Sequence, residues 1–179
     1  DTLLYTGDFK LRPGAASEPA VCRRAGTLIM ETTFGLPKYR LPKTEDVVAS
    51  LVKFVRDALA GGDVPILGAY SLGKAQEVLL SLYRAAPELS FVLHRAAAGM
   101  TEIYRDCGYP TPEWETFADD SDLEGKVLIA PPNTFRSAPV QAIEKRRTAV
   151  VSGWGADVSA KYRYGVDEVF PLSDHADYD

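Results

Sequence analysis

Residues 64–94 read VPILGAYSLGKAQEVLLSLYRAAPELSFVLH. The apolar residues 64–70 are typical of a buried strand, and the helical spacing of apolar residues at 71–86 predicts a helix that Pro87 ends. Residues 91–94 predict a second strand. Because two strands joined by one helix usually pair in parallel, this stretch predicts a βαβ unit.

The same alternation continues on both sides of this unit. Upstream, apolar spacing predicts a helix that starts with Thr44 as its N-cap and stops before Gly61 and Gly62. Downstream, the patterns predict two helices at 99–107 and 137–147, and two strands at 126–130 and 148–152. The Pro-rich and acidic residues 109–125 predict a long surface connection. We therefore expect an α/β domain with a parallel sheet flanked by helices.

Carboxylates follow two short apolar runs near the beginning of the sequence. Residues 2–6 and 27–30 predict buried strands, and Asp8 and Glu31 follow the ends of these strands. Such positions deliver side chains to a site at the edge of a sheet.

The sequence FPLSDHADY at 170–178 places one imidazole beside two carboxylates. Because imidazole titrates near neutral pH, a histidine held by a carboxylate can protonate a leaving oxygen. The alternative is that Ser173 and Asp174 cap a helix and that His175 is structural. His94, the other histidine, is predicted to have a structural or surface role.

Composition excludes some classes of protein. No apolar run approaches the roughly 18 residues of a membrane helix, so we expect no membrane association. The formal charge of −5 argues against a domain that coats nucleic acid by bulk charge, but it permits a local basic groove. Cys22 and Cys107 lie outside any metal-binding motif and are typical of a cytoplasmic protein.

The turn Gly68–Lys74 matches GxxxxGK, but Ala75 stands where a P-loop needs a hydroxyl for magnesium. The start of this helix, with Lys74, could still receive a phosphate of nucleic acid; the alternative is a helix N-terminus whose small residues allow close packing. The predicted substrate-binding residues are Ser71, Lys74, Arg136, Lys161 and Arg163. Trp154 is predicted to lie in the core.

Three motifs in order carry a family resemblance: TGDF at 6–9, ETTFG at 31–35 and SDHADY at 173–178. Together they resemble the β-CASP branch of the metallo-β-lactamase superfamily. Four further motifs resemble the ligase-associated DNA exonucleases and their relatives named mRNA 3′-end processing factors: YSLGKAQ at 70–76, APP at 130–132, SGW at 152–154 and KYRYG at 161–165. The resemblance covers essentially the whole chain.

The resemblance implies roles for three residues. Asp8 would bridge a pair of zinc ions, and Glu31 and His175 would form a catalytic pair that protonates the departing 3′ oxygen. It also implies a DNA or RNA substrate, with a DNA ligase or a helicase as partner. Paired zinc ions would generate hydroxide and clamp the attacking and leaving oxygens of a phosphodiester.

The sequence departs from the family in its metal ligands. The family has an HxHxDH motif and further histidines, whereas this chain has only His94 and His175. We therefore expect an incomplete zinc site in a truncated chain that is inactive alone. Its outer strands are expected to leave apolar faces exposed.

The resemblance thus implies a partial metallo-β-lactamase αββα sandwich at 1–38 and 166–179, with an inserted β-CASP α/β domain at 39–165. Its function would be zinc-dependent, exonuclease-type hydrolysis of phosphodiesters in the longer parent. The alternative is a non-catalytic or nucleotide-binding α/β module that uses the Gly68–Lys74 turn.

Overall fold

The computed structural model describes residues 1–178, which contain two sheets of entirely parallel strands. The strands are β1 Leu3–Tyr5, β2 Thr27–Ile29, β3 Val64–Gly68, β4 Ser90–Leu93, β5 Glu115–Thr116, β6 Lys126–Ala130, β7 Arg146–Val151 and β8 Glu168–Phe170. The α-helices are α1 Thr44–Ala60, α2 Lys74–Ala85, α3 Arg95–Asp106, α4 Ala138–Gln141 and α5 Ala160–Tyr164. Two 3₁₀ helices span Pro132–Arg136 and Gly153–Ala156.

The larger sheet has six strands in the order β5-β4-β6-β3-β7-β8. Side chains alternate between its faces, so Leu67 packs with helices α1 to α3 and Ile66 packs with α4 and the 3₁₀ helix at Pro132–Arg136. Both residues are fully buried. The fold is therefore α/β, with parallel sheets and flanking helices, as predicted.

Helix α1 forms where the spacing of apolar residues predicted a helix. Its residues Leu51, Val55 and Ala58 are fully buried on one face, and the helix ends at Gly61. The predicted N-cap was wrong by one position. Thr44 is the first helical residue, and the carbonyl of Lys43 accepts the first hydrogen bonds.

Two other predicted helices begin or end at different residues. Helix α2 starts at Lys74 rather than residue 71, because Gly73 adopts a φ of 78° that interrupts the helix. The helix predicted at 137–147 is wrong beyond Gln141. Arg146 belongs to β7, and its guanidinium donates to the carbonyls of Gln141 and Ile143, so it closes the short helix α4 from outside.

The predicted surface connection at 109–125 contains one short strand that was not predicted. Strand β5 pairs with β4 at the edge of the large sheet. Beside it, the guanidinium of Arg105 lies 4.1 Å from the ring centroid of Trp114. Two ladder pairs and one cation–π contact thus hold part of this connection against the domain.

Strands β1 and β2 form a separate two-stranded sheet, with Leu3 opposite Thr27. The prediction that both strands are buried is wrong for this chain. Tyr5 is 72% exposed and Leu28 is 54% exposed, because within residues 1–178 no third strand pairs with this sheet. The expected exposure of apolar faces is confirmed.

Strand β8 lies in the segment 166–179, yet it pairs with β7 and extends the large sheet. The large sheet thus joins the predicted segments 39–165 and 166–179, and the predicted domain boundaries stay a prediction. Among the helices of residues 1–178, none combines the length and the apolar character that a membrane crossing requires.

Candidate active site

Three loops, each following a strand, bring the predicted metal-binding and catalytic residues together. Asp8 follows β1, Glu31 follows β2 and His175 follows β8. The N–H of Ala176 donates to the carbonyl of Phe9 at 2.6 Å, which joins the first and last of these loops directly. The two sheets therefore meet at this point.

Glu31 and His175 are in contact. Oε1 of Glu31 lies 3.2 Å from Nδ1 of His175, although the residues are 144 positions apart in sequence. The His175 side chain is 28% exposed and that of Glu31 is 11% exposed. Since Nδ1 is engaged and Nε2 has no hydrogen-bond partner within residues 1–178, Nε2 is the nitrogen that can act on a ligand.

The Glu31 carboxylate is held in place from two sides. Its Oε2 accepts a hydrogen bond from the N–H of Thr33 at 2.9 Å. Burial acts to raise the pKa of Glu31, but hydrogen bonds from Thr33 and the nearby imidazole of His175 outweigh it, so this pKa lies below its ordinary value. Glu31 is thus an ionised group that orients the imidazole of His175.

Asp8 lies on the solvent-exposed side of the Glu31–His175 pair. Its Oδ1 lies 4.0 Å from Nδ1 of His175, and its side chain is 77% exposed. Asp8 lines a cleft of about 690 Å³, which it shares with Lys10, Glu77, Tyr104 and Asp174. A ligand in this cleft therefore has access to the Asp8 carboxylate.

The described residues do not fit a complete zinc site. Within residues 1–178 there is no group of three or more His, Cys, Asp or Glu side chains placed to hold a metal ion. A stable zinc site needs three or four protein ligands. Asp8 is an exposed carboxylate 4.0 Å from Nδ1 of His175, so the described residues offer part of such a centre and do not complete it.

An aromatic cluster forms the wall behind His175. The ring of Phe34 is almost fully buried, with its centroid 5.1 Å from Tyr39, 4.9 Å from Trp154 and 5.9 Å from His175. Trp154 is half-buried within this cluster rather than in the main core. Gly153 is needed here, because a Cβ at this position would come within 2.5 Å of the Phe34 ring.

Lys74 is buried and paired in this structure, and its predicted role in binding a phosphate stays a prediction. Its side chain is 2% exposed, and its Nζ lies 2.7 Å from Oδ1 of Asp174 and 2.8 Å from the carbonyl of Leu172. Burial lowers the pKa of Lys74 below its ordinary value, and Asp174 acts in the opposite direction. The ammonium therefore faces the loop that carries His175.

The backbone N–H groups of Gly73, Lys74 and Ala75, where the Gly68–Lys74 turn leads into α2, are also engaged. The N–H of Gly73 donates to Oε1 of Gln76 at 2.8 Å, and the N–H of Ala75 donates to the carbonyl of Tyr70 at 2.9 Å. A nucleotide phosphate needs such donors to be open. The geometry consequently gives no support to a nucleotide-binding loop at this turn.

The other predicted substrate-binding residues lie apart from the Glu31–His175 pair. Arg136 and Arg163 line a cleft of about 750 Å³ on the face covered by α4 and α5. Lys161 lies 3.9 Å from a carboxylate oxygen of Glu168, and Arg163 lies 3.3 Å from one of Asp157. Neither Glu31 nor His175 lines this cleft, and the binding roles of Arg136, Lys161 and Arg163 stay predictions.

Ser71 and His94 have local structural contacts. The carbonyl of Ser71 accepts a hydrogen bond from Nε2 of Gln76 at 3.0 Å, and its binding role stays a prediction. His94 is the N-cap of α3, where Nδ1 accepts from the N–H of Ala96 at 3.3 Å. The structural role predicted for His94 is confirmed.

Two residues that position the site were missed in the sequence. Glu77 is 2% exposed, and its Oε2 accepts hydrogen bonds from the N–H groups of Ala15 and Ala16 at 2.8 and 2.9 Å. Arg12 forms an ion pair with Asp177 and donates to the carbonyl of Leu41. In the sequence, the signal that could have indicated the role of Glu77 was a carboxylate standing among the apolar residues of helix α2.

Comparisons with known proteins point to nucleic-acid processing. No family model matches the chain. It is similar to a probable DNA ligase of Opitutus terrae, with 45% identity over 177 residues, which are 99% of this chain and 17% of the relative. It is 37% identical over 82 residues to the transcription termination factor FttA of Methanocaldococcus jannaschii, covering 45% of this chain and 13% of that protein.

A third relative is the DNA cross-link repair protein SNM1 of Arabidopsis thaliana, with 25% identity over 156 residues, which are 86% of this chain and 30% of the relative. The chain thus spans less than a third of the length of each of these relatives. Their names concern the joining and repair of DNA and the termination of transcription.

Proposed function

We propose that this chain is part of a nuclease of the β-CASP branch of the metallo-β-lactamase superfamily, and that Glu31 and His175 are its proton-donating pair. The single observation that carries the proposal is the 3.2 Å contact between Oε1 of Glu31 and Nδ1 of His175. The residues lie in two motifs that resemble this family. The similarity to DNA-processing and transcription-termination proteins supports the same class of substrate.

The chemistry follows from the two nitrogens of the imidazole. Glu31 accepts a hydrogen bond from Nδ1–H, which orients the ring and stabilises its positive charge when Nε2 is also protonated. Nε2–H then donates its proton to the oxygen that leaves the phosphorus during hydrolysis of a phosphodiester. General acid catalysis of this kind contributes about 10²- to 10⁴-fold to a rate.

Zinc is proposed as the metal of the longer protein, with Asp8 as the ligand that this chain supplies. The described residues do not complete a zinc site, and the proposed proton transfer involves only Glu31 and His175. The division into 1–38, 39–165 and 166–179 belongs to the same proposal, with the middle segment as the inserted domain.

DNA is the favoured substrate. The relative that matches almost the entire chain is a probable DNA ligase, whereas the transcription termination factor matches less than half of it. A DNA ligase activity, in the same polypeptide or in a partner, would join ends that such a nuclease prepares. RNA remains the substrate to compare in the same assay.

The test is the substitution His175→Ala in the longer protein that contains this chain. We expect turnover of a labelled single-stranded oligonucleotide to fall by about 10²-fold or more, with bound zinc unchanged. His94→Ala is the matched control, because His94 caps α3 and lies outside the site. Loss of stoichiometric zinc in His175→Ala would make His175 a ligand, and unchanged turnover would refute the catalytic role.

A further inference from the structure

We infer that the first turn of α2 positions the active site through a four-charge array made of Lys10, Glu77, Lys74 and Asp174. The inference rests on the proposed function, since the array is argued to act on the Glu31–His175 pair. Within residues 1–178, no side chain of the array forms a hydrogen bond or ion pair with the side chains of Glu31 and His175. They are positioning residues, which fix the loops that carry Asp8 and His175.

Lys74 holds the loop that follows β8. Its ammonium bridges the carboxylate of Asp174 and the carbonyl of Leu172, so one buried side chain fixes both ends of a three-residue segment. Ser173, in the middle of that segment, accepts a hydrogen bond from the N–H of His175 and donates one to its carbonyl, both at 2.9 Å. The backbone of His175 is thus tied to Lys74 through a continuous series of contacts.

Glu77 holds the loop that follows β1. It binds the N–H groups of Ala15 and Ala16, and its Oε1 lies 3.5 Å from Nζ of Lys10. Lys10 stands two positions after Asp8 in the sequence. Glu77 and Lys74 are themselves three positions apart, which places them on the same side of the helix.

The array alternates in sign and is largely buried. The side chains of Lys10, Glu77 and Lys74 are 11%, 3% and 2% exposed, and only Asp174, at 43%, reaches the solvent. Burying charges is costly, and apolar residues of similar volume often stabilise a fold equally well or better. Charged groups at these positions are therefore better explained by the geometry that they impose on two loops than by stability alone.

The test is a double-mutant cycle in the longer protein, with Lys74→Met, His175→Ala and both together. Met retains most of the side-chain volume and removes the charge. We expect Lys74→Met to lower kcat on a single-stranded oligonucleotide by about tenfold or more, because small errors in the position of a catalytic group are costly, and to change KM by less than about twofold. In the His175→Ala background the same substitution is expected to lower kcat by less than about twofold further.

The outcomes separate this inference from the proposed function. If His175→Ala leaves kcat unchanged, the proposed function fails, and the inference fails with it. Suppose instead that His175→Ala lowers kcat. If Lys74→Met then lowers kcat by the same factor with and without His175, or does not lower it at all, only the positioning role is overturned. A loss of structure would act in both backgrounds, whereas a positioning role acts only while His175 is present.

Two further variants complete the test: one is a control, and the other is used if Lys74→Met does not fold. Lys53→Met is the matched control, because Lys53 is an exposed lysine of α1 and its substitution is expected to leave kcat unchanged. If Lys74→Met does not fold, as judged by circular dichroism and thermal unfolding, the same cycle is run with Asp174→Asn. This change keeps the shape of the partially exposed partner of Lys74, and equal effects of it in both backgrounds would likewise overturn the inference.

Discussion

Replacing Glu77 by Ala should loosen the loop that follows β1 and destabilise the whole domain. The substitution removes a buried carboxylate that binds the N–H groups of Ala15 and Ala16 and faces Lys10. Three partners are then left without their acceptor. Removing one member of a buried ionic network costs about 3 to 5 kcal/mol, because the remaining groups stay desolvated.

A loss of stability of this size in Glu77→Ala can be measured by calorimetry. For a domain of this size, each kcal/mol corresponds to roughly 2 to 4 °C in Tm, so we expect a decrease of about 6 to 20 °C by calorimetry. Glu77→Gln keeps one acceptor oxygen and should cost only about 1 to 3 kcal/mol. Hydrogen exchange gives a local readout, since the amides of Ala15 and Ala16 should lose protection in Glu77→Ala.

Glu88→Ala is the matched control for this prediction. Glu88 is 56% exposed and pairs with Arg56 on the surface, so its removal should leave Tm and the exchange of both loop amides unchanged. The reasoning would be refuted if Glu77→Ala unfolded at the same temperature as the unsubstituted protein while Ala15 and Ala16 stayed protected. That result would mean that the loop is held by its apolar contacts alone.

Two further predictions concern pH and backbone packing. Because the pKa of Glu31 is lower in the folded protein than its ordinary value of 4.5, its stabilising contribution is present above that value and is lost as the pH falls through the folded pKa. Tm should therefore fall more steeply between about pH 5 and pH 3 in the unsubstituted protein than in Glu31→Gln, and parallel curves would contradict this. Gly153→Ala should lower stability by about 1 to 3 kcal/mol, since its Cβ would lie 2.5 Å from the Phe34 ring and 2.9 Å from Oγ of Ser173. Gly99→Ala, where the space is open within α3, should instead raise stability by about 0.5 to 1 kcal/mol, and denaturant titration of both variants checks the contrast in sign.

Much of the fold was predictable because its signals are local. The strand at 64–68 and helix α1 each combine an apolar pattern with a clear stop, so the residues themselves specify the element. The length of α4 was not predictable in this way, because Arg146 joins a strand whose partner is β3. The apolar pattern of residues 27–30 taken alone predicts burial, yet Leu28 is exposed, since burial depends on which other strands cover a strand.

The site was predictable only in part. A contact between residues as distant as Glu31 and His175 leaves no local signal, and it was expected because their motifs resemble a known family. The burial of Lys74 was not predicted. Every residue of α2 from Lys74 to Leu82 is buried, so an amphipathic pattern could not indicate that its charged residues point inward.

The proposed catalytic pair has one member on each of two sheets. Glu31 follows a strand of the small sheet and His175 follows a strand of the large one, and their contact is 3.2 Å long. A displacement of about 1 Å between the sheets is enough to break such a hydrogen bond. The proposed proton transfer therefore depends on the relative position of the two sheets: a movement of the small sheet by that amount would separate Glu31 from His175.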